Sequence, residues 1–289
     1  MNFGATWRSG RALIERAQLR EVRPGRRLNY LQLDPKPGQP TLLLVHGSAA
    51  SLSQYLPLVE PLQSLGYGIV TYDWYGCGGS EKPDSWAAYS FDELLADLSA
   101  VWKLAKACGA GPHFVAGHSF GTHLVIRLMA SLAPDELQSV SGLVLLGAAK
   151  TFPEGHPVFN LPVFVLRWMQ HGMTDAFLKM ALAASCDPEL RKQEEDACNG
   201  NPMYMCKAYY RQVRNATDAD VAACQGLPAL VVRGAEDGLV SAEDSKAIVE
   251  ALPKARLKEV SRAGHAPMLE APSEVAELVV EFVNAVIGS

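Results

Sequence analysis

The sequence of 289 residues lacks a long hydrophobic run, because no stretch reaches the roughly 18 consecutive apolar residues that a membrane-spanning helix needs. Residues 1–30 also lack the unbroken apolar core of a secretory signal. An excess of basic charge is absent as well, with 26 Lys and Arg against 31 Asp and Glu and a net charge of −5. We therefore expect no transmembrane segment and no nucleic-acid partner, while peripheral membrane contact stays open.

The six cysteines lack both a Cys-x-x-Cys pair and a zinc-like spacing with histidine. Four of them fall between residues 186 and 224, which leaves a disulfide or a metal site as an alternative. The more ordinary interpretation is that all six are free thiols in a reducing compartment. We therefore expect a cytoplasmic protein with no metal and no organic cofactor.

The N-terminal region is unusually basic. Seven arginines face only two acids, Glu15 and Glu21, before residue 28. An arginine-rich leader that is poor in acids is typical of an organelle transit peptide, which leaves an organelle as the alternative location. Transit peptides are usually rich in serine and this segment is not. The sequence therefore favours a solvated surface helix over residues 10–21, followed by a turn at Pro24-Gly25.

Short apolar runs alternate with longer amphipathic stretches, which predicts an α/β fold with parallel strands linked by helices. The predicted strands are residues 30–33 at an edge, then 41–45, 68–73, 113–116, 143–146, 229–233 and 256–260. The predicted helices are residues 52–65, 91–107, 121–132, 242–252 and 273–286.

The alternation stops between residues 150 and 226, where only helical segments separated by prolines occur. An insertion of this length between two strands is too long for a simple loop. We interpret residues 150–226 as a helical cap inserted into a core domain that comprises residues 1–149 and 227–289.

The strongest chemical signal is Gly117-His118-Ser119-Phe120-Gly121, which follows a predicted strand and precedes a predicted helix. A G-x-S-x-G motif in this context forms a sharp turn that exposes a nucleophilic serine. The glycines are needed because the strained turn leaves no room for larger side chains. We expect Ser119 to be the nucleophile.

A nucleophilic serine needs a base, and the base needs a carboxylate. Of seven histidines, His265 lies in a loop between the last predicted strand and the last helix, at the carboxyl edge of the sheet. Asp237 follows an earlier strand, and the order serine, aspartate, histidine is that expected for such a site. Glu236 is the adjacent alternative for the acid. We expect His118 to point away from Ser119, and His46 to be structural.

The oxyanion of an acyl-transfer reaction requires backbone N–H donors. One is expected at Phe120, directly after the nucleophile, and the second at Ser48 in the His46-Gly47 loop, with Ala49 as the weaker alternative. Residues 73–80 resemble a phosphate-binding loop but lack its lysine, so we interpret them as a structural turn.

With Ser119, Asp237 and His265 in this order, the chain resembles the α/β-hydrolase superfamily over nearly its full length, in its esterase and lipase-like branch. The resemblance implies an eight-stranded, mostly parallel sheet with helices on both faces and a helical cap after the sixth strand. Residues 22–28 also resemble the lead-in of some eukaryotic α/β-hydrolase-domain proteins. Serine at position 119 differs from the aspartate of the dehalogenase and epoxide-hydrolase branches.

The cap sequence suggests an apolar substrate, because it carries many large apolar side chains. Part of these must pack against the core, and the remainder would line a pocket for an acyl chain. The candidates are Phe159, Val163, Leu166, Trp168 and Met169.

The expected function is hydrolysis of a hydrophobic carboxylic ester or thioester by a serine triad and an acyl-enzyme. Two alternatives remain: a hydrolase of the same fold that acts on C–C, amide or peptide bonds, and a ligand-binding or scaffold protein with low turnover.

Overall fold

The computed structural model describes residues 13–288. Eight strands form one sheet in the order β1-β2-β4-β3-β5-β6-β7-β8. Their bounds are β1 Gln18–Arg23, β2 Arg26–Leu33, β3 Thr41–Val45, β4 Gly68–Tyr72, β5 His113–His118, β6 Val140–Leu146, β7 Ala229–Gly234 and β8 Ala255–Val260.

The sheet is mostly parallel, as the sequence predicted. Strand β2 pairs antiparallel with both β1 and β4, and every other pair is parallel. Strands β3, β4 and β7 are buried along their whole length, as expected for parallel strands covered on both faces. The carboxyl ends of β3, β5, β6 and β7 therefore meet at one edge of the sheet.

Helices connect these strands. Helix α1 spans Leu56–Ser64 after a 3₁₀ turn at Leu52–Tyr55, α2 spans Phe91–Ala107 after a 3₁₀ turn at Ala87–Tyr89, and α3 and α4 span Gly121–Ser131 and Pro134–Gln138. Between β6 and β7 lie a 3₁₀ turn at Pro157–Asn160 and helices α5 Val163–Ala181, α6 Pro188–Asn199, α7 Met203–Gln212 and α8 Asp218–Ala223. Helices α9 Ala242–Ala251, α10 Pro267–Glu270 and α11 Pro272–Ile287 complete the chain.

The core lies on both faces of the sheet. Side chains alternate along β3, so that Leu42 and Leu44 join one apolar cluster while Leu43 and Val45 join the other. Helices α1, α10 and α11 cover the first face, and α2, α3 and α9 cover the second. The α/β-hydrolase fold expected from the sequence is confirmed.

The start of the described chain differs from the prediction. Residues 18–23 form strand β1 rather than the second half of a helix over residues 10–21, whose first residues lie outside the described range. The physical reason is a long-range ion pair. Arg23 and Arg26, on either side of the turn at Gly25, both bind the buried carboxylate of Asp97 in α2. This contact holds β1 against β2 and is invisible in the local sequence.

Helices α5–α8 occupy the segment that the sequence marked as free of strands. Their treatment as a cap separate from a core of residues 1–149 and 227–289 stays a prediction. Within residues 13–288, no helix combines the length and apolar composition needed to cross a bilayer. All six cysteines are unpaired, and Cys77, Cys206 and Cys224 are buried.

A buried carboxyl joins α6 to the core. Glu194 is 6% exposed and accepts a hydrogen bond of 3.2 Å from the side-chain amide of Gln54. Burial raises the pKa of Glu194 to about 7, and repulsion from Glu270 adds to the shift. The folded protein therefore binds a proton at Glu194 between the ordinary carboxyl pKa and about 7, where the unfolded chain has lost it.

We expect Glu194→Gln to be stabilising by an amount that grows with pH. Because the folded-state pKa is raised, the wild-type residue loses stability as the pH rises from about 5 to about 8, whereas an amide cannot ionise. Thermal unfolding midpoints of the variant and the wild type across this range measure the difference. Glu189→Gln, on the exposed side of the same helix, should show no such trend, and equal trends for both variants would contradict the assignment.

Candidate active site

Ser119 lies in a tight turn between β5 and α3. Its backbone has a φ of +51°, a conformation that non-glycine residues rarely adopt. The neighbouring backbone is close, since a Cβ atom on Gly117 would lie 2.8 Å from the Gly121 oxygen, and one on Gly121 would lie 2.5 Å from the His46 oxygen. The Ser119 N–H donates to the Leu146 oxygen in β6 over 2.9 Å. The turn is therefore both strained and firmly held.

His265 and Asp237 form a buried pair at the same edge of the sheet. Nδ1 of His265 donates to Oδ2 of Asp237 over 2.8 Å, with side chains 3% and 0% exposed. The other carboxylate oxygen accepts the N–H groups of Leu239 and Val240 at 2.8 and 2.9 Å. Burial of Asp237 acts to raise its pKa, but the hydrogen bonds from His265 and the two N–H groups outweigh burial and lower it. The carboxylate is therefore charged and points at the imidazole.

The second nitrogen of His265 is free. Within the described chain, Nε2 is buried and has no hydrogen-bond partner. The His265 ring lies against the end of β6, the strand whose Leu146 accepts the Ser119 N–H. A Cβ atom on Gly147, the residue after β6, would be 3.0 Å from Nδ1 of His265. The His265 N–H donates to the Ala181 oxygen of α5 over 2.6 Å. An imidazole oriented at Nδ1 and free at Nε2 has the arrangement that a general base needs.

Glu236 faces elsewhere. Its carboxylate accepts the N–H of Ala184 over 3.2 Å, in the segment between α5 and α6. The structure therefore brings Asp237 to His265 and directs Glu236 toward the helical segment between β6 and β7, residues 147–228, which we call the helical insertion.

The expected oxyanion donors flank the nucleophile. Within residues 13–288 the N–H groups of Ser48 and Phe120 donate to no other atom. The loop after β3 is close to Ser119, because a Cβ atom on Gly47 would lie 3.1 Å from the Ser119 Cβ. Ala49, the alternative donor, has a φ of +54°. Two unpaired N–H groups next to a serine can bind an oxyanion.

The two other histidines of the site are buried and held by the backbone. His46 accepts the Trp74 N–H at Nε2 over 2.9 Å, while Nε2 of His118 lies 2.9 Å from the backbone oxygen of His265. Nδ1 of His118 lies 3.0 Å from the Gln54 amide. Burial lowers the pKa of His46 to about 4, and burial with repulsion from His265 lowers that of His118 to about 3. Both rings are therefore neutral and structural.

The glycine-rich turn after β4 supports the loop after β3. The Asp73 carboxylate accepts the Leu52 N–H over 2.6 Å, the Gly79 N–H over 2.7 Å and the Asn29 amide over 2.8 Å. A Cβ atom on Gly78 would lie 2.1 Å from the same carboxylate, which explains the glycine and its φ of +48°. The turn therefore stabilises the loop after β3, as the structural interpretation expected. The sequence did not reveal the hydrogen bond from the Leu52 N–H to Asp73.

The five residues expected to line a substrate pocket have different surroundings. Phe159 and Leu166 are buried, Val163 and Met169 are half-buried, and Trp168 is 85% exposed. Trp168 follows Leu166 by two helical positions, a rotation of roughly 200° that turns it from the core to solvent. Trp168 therefore does not face an enclosed pocket.

An apolar cavity does lie beside the loop after β3, between Ala49, Trp74, Cys206 and Tyr209. Its volume is about 10 Å³, space for about one water molecule. None of the five expected residues lines it. Sequence reasoning missed Tyr209 and Cys206, because only the folded chain brings α7 onto this loop.

The family described as serine aminopeptidase, S33 matches residues 36–272. Protein ABHD8 of Bos taurus is 30% identical over 248 residues, which cover 84% of this chain and 55% of that protein. The chain thus spans about half the length of the ABHD8 proteins it matches.

Two further likenesses extend over most of the chain. Lipase 3 of Moraxella sp. (strain TA144) is 26% identical over 264 residues, which cover 87% of this chain and 79% of the lipase. The enol-lactonase from Burkholderia xenovorans LB400 superposes with a TM-score of 0.76 at 20% identity, covering 92% of this chain and 100% of the lactonase, a likeness of fold. The chain therefore belongs to the α/β-hydrolase superfamily and, within it, to the family described as serine aminopeptidase, S33.

Proposed function

We propose that the protein is a serine hydrolase that cleaves a carboxylic ester through an acyl-enzyme on Ser119. The observation that carries the proposal is the buried Asp237–His265 pair, whose Nε2 has no hydrogen-bond partner in the described chain and whose ring lies 5.0 Å from that of His118, the residue before the strained Ser119. Family membership and the lipase relative support a hydrolase.

The proposed reaction has two steps. His265 Nε2 takes the Ser119 hydroxyl proton as Oγ attacks the ester carbonyl, and the N–H groups of Ser48 and Phe120 bind the resulting oxyanion. The C–O bond then breaks, and the proton passes from His265 to the leaving alkoxide. In the second step His265 deprotonates a water that attacks the acyl carbonyl, the bond to Ser119 Oγ breaks to release the acid, and His265 returns the proton to Oγ. Asp237 holds the tautomer and stabilises the imidazolium in both steps.

The choice of bond is the open part of the proposal. The lipase and lactonase likenesses favour an ester, and a thioester fits the same chemistry. The family description favours an amide or peptide bond, and C–C hydrolysis uses the same triad. A ligand-binding or scaffold protein with low turnover is the alternative from another class.

The proposed substrate carries an apolar acyl group beneath a helical cap of residues 150–226. The cavity of about 10 Å³ beside Cys206 and Tyr209 is too small for a long acyl chain, so we expect α7, which lines it, to shift if such a chain enters there. The exposed faces of Phe164 and Trp168, 73% and 85% exposed, support the further proposal of peripheral membrane contact. The six free thiols support a reducing compartment such as the cytoplasm, with an organelle as the alternative.

Asp237→Asn should lower kcat by about 10³–10⁴-fold with KM little changed, because an amide holds the wrong imidazole tautomer. Glu236→Gln is the matched control, since it changes the neighbouring acid, which binds Ala184 instead of His265. Steady-state ester hydrolysis by both variants checks this assignment. Equal losses in the two variants, or a larger loss in Glu236→Gln, would contradict it.

Turnover of p-nitrophenyl esters from acetate to palmitate tests the function and the acyl preference together. We expect hydrolysis that is lost by at least about 10³-fold in Ser119→Ala, and kcat/KM that is maintained or rises as the acyl chain lengthens. A steep fall of kcat/KM with chain length would refute the apolar acyl preference. Ester turnover retained by Ser119→Ala would refute the nucleophile.

A further inference from the structure

The loop that carries the expected oxyanion donor Ser48 is held by residues of the helical insertion. The Asn201 amide, between α6 and α7, donates to the Ala49 oxygen over 2.6 Å, and the Ser48 hydroxyl lies 2.8 Å from the Tyr209 hydroxyl of α7. Ala49 has a left-handed backbone, which costs on the order of 1 kcal/mol or more for a non-glycine residue and persists only where the surroundings fix it. The insertion supplies such fixing contacts.

Tyr209 contacts both sides of the expected oxyanion hole. It is 4% exposed, its hydroxyl bonds Ser48, and its ring packs edge-on against Phe120 at 6.1 Å between centroids. The ring also lies 5.7 Å from that of Trp74. Burial raises the pKa of Tyr209 well above its ordinary value, so the hydroxyl keeps its proton and can donate it.

We propose that Tyr209 is a positioning residue for the oxyanion hole. Its hydroxyl donates to the Ser48 hydroxyl oxygen and thereby fixes the direction of the Ser48 N–H toward the carbonyl oxygen of a substrate bound at Ser119. The inference rests on the proposed function and deepens it, because it assigns part of the catalytic geometry to a residue of the insertion.

The expected effect falls on the transition state. A backbone donor that is preorganised for an oxyanion needs no rearrangement during the reaction, whereas a loosened donor loses part of that advantage. Ground-state binding depends little on this donor, because negative charge develops on the oxygen only as Ser119 attacks. Loss of the Tyr209 hydroxyl should therefore lower kcat and leave KM nearly unchanged.

The test is Tyr209→Phe, which removes the hydroxyl and keeps the ring against Phe120. We expect kcat for p-nitrophenyl butyrate to fall about tenfold, less than the roughly 10²–10³-fold loss from deleting an oxyanion donor. A trifluoromethyl ketone, whose adduct with Ser119 places an oxyanion in the hole, should bind more weakly by a similar factor. Tyr204→Phe is the matched control, since it removes a phenol of the same helix that donates to the Lys82 oxygen.

A double-mutant cycle with Ser48→Ala asks whether Tyr209 acts through the Ser48 hydroxyl. Ser48→Ala keeps the backbone N–H and removes the acceptor, so each single variant and the double variant should lose about the same tenfold in kcat. Additive losses, near 100-fold in the double variant by the same reasoning, would overturn the inference. Unfolding midpoints of all variants separate loss of folding from loss of catalysis.

The outcomes distinguish this inference from the proposed function. If the wild type neither turns over esters nor binds the ketone, the function and the inference fall together. If the wild type is active and Tyr209→Phe matches it in kcat and ketone affinity, the inference alone fails. A loss in kcat that Tyr204→Phe shares equally would also overturn it, since the effect would then be a general one of α7.

Discussion

The backbone at Ser119 has a φ of +51°, and the close backbone contacts around this turn leave room only for glycine at several neighbouring positions. Glycines stand where neighbouring strands and loops approach most closely, at positions 47, 117, 121 and 147. Gly47 follows β3, Gly147 follows β6, and Gly117 and Gly121 lie on the two sides of Ser119. Because parallel strands end at one edge of the sheet, these glycines and the loops after them gather around a single serine. The strain at the turn is sustained by this crowding and by the bond from its N–H to Leu146.

Two buried carboxylates near this edge have pKa values shifted in opposite directions, because they receive different numbers of hydrogen bonds. Asp237 receives three hydrogen bonds and its pKa is lowered, so it remains charged beside His265. Among the described residues Glu194 accepts a hydrogen bond from Gln54 alone, and burial raises its pKa to about 7. The same Gln54 amide lies 3.0 Å from His118, whose other nitrogen bonds the His265 backbone. The helical insertion is thus connected to the backbone of His265 through a buried chain of polar side chains.

The loop after β3 is the second place where insertion and core meet. Asp73 of the core accepts the N–H of Leu52, where the loop ends. From the insertion, Asn201 bonds the Ala49 oxygen and Tyr209 bonds the Ser48 hydroxyl. A shift of α7 large enough to admit a long acyl group would therefore disturb the loop that carries Ser48. Under the proposed function, entry of a long acyl chain and the geometry of the expected oxyanion hole would be coupled through these contacts.

The sequence predicted the central strands and the five helices that it placed to within a few residues, because their apolar runs are long and buried whatever their partners. Strand β1 was missed, since its conformation depends on Arg23 reaching Asp97, 74 positions away. The turn containing Ser119 and the choice of Asp237 over Glu236 followed from motif and strand order, and the structure brings Asp237 to His265. Tyr209 could not be found, because it contacts Ser48 across 161 positions and carries no motif.

The most direct test of the account is the site of covalent modification by a fluorophosphonate, which reacts with serines activated by a base. Intact wild-type protein would be treated and digested, and tandem mass spectrometry would locate the adduct. The account predicts one adduct on Ser119, lost in Ser119→Ala and strongly slowed in Asp237→Asn. An adduct on another serine, or a folded wild type that is not modified, would contradict the assignment of Ser119 as the nucleophile.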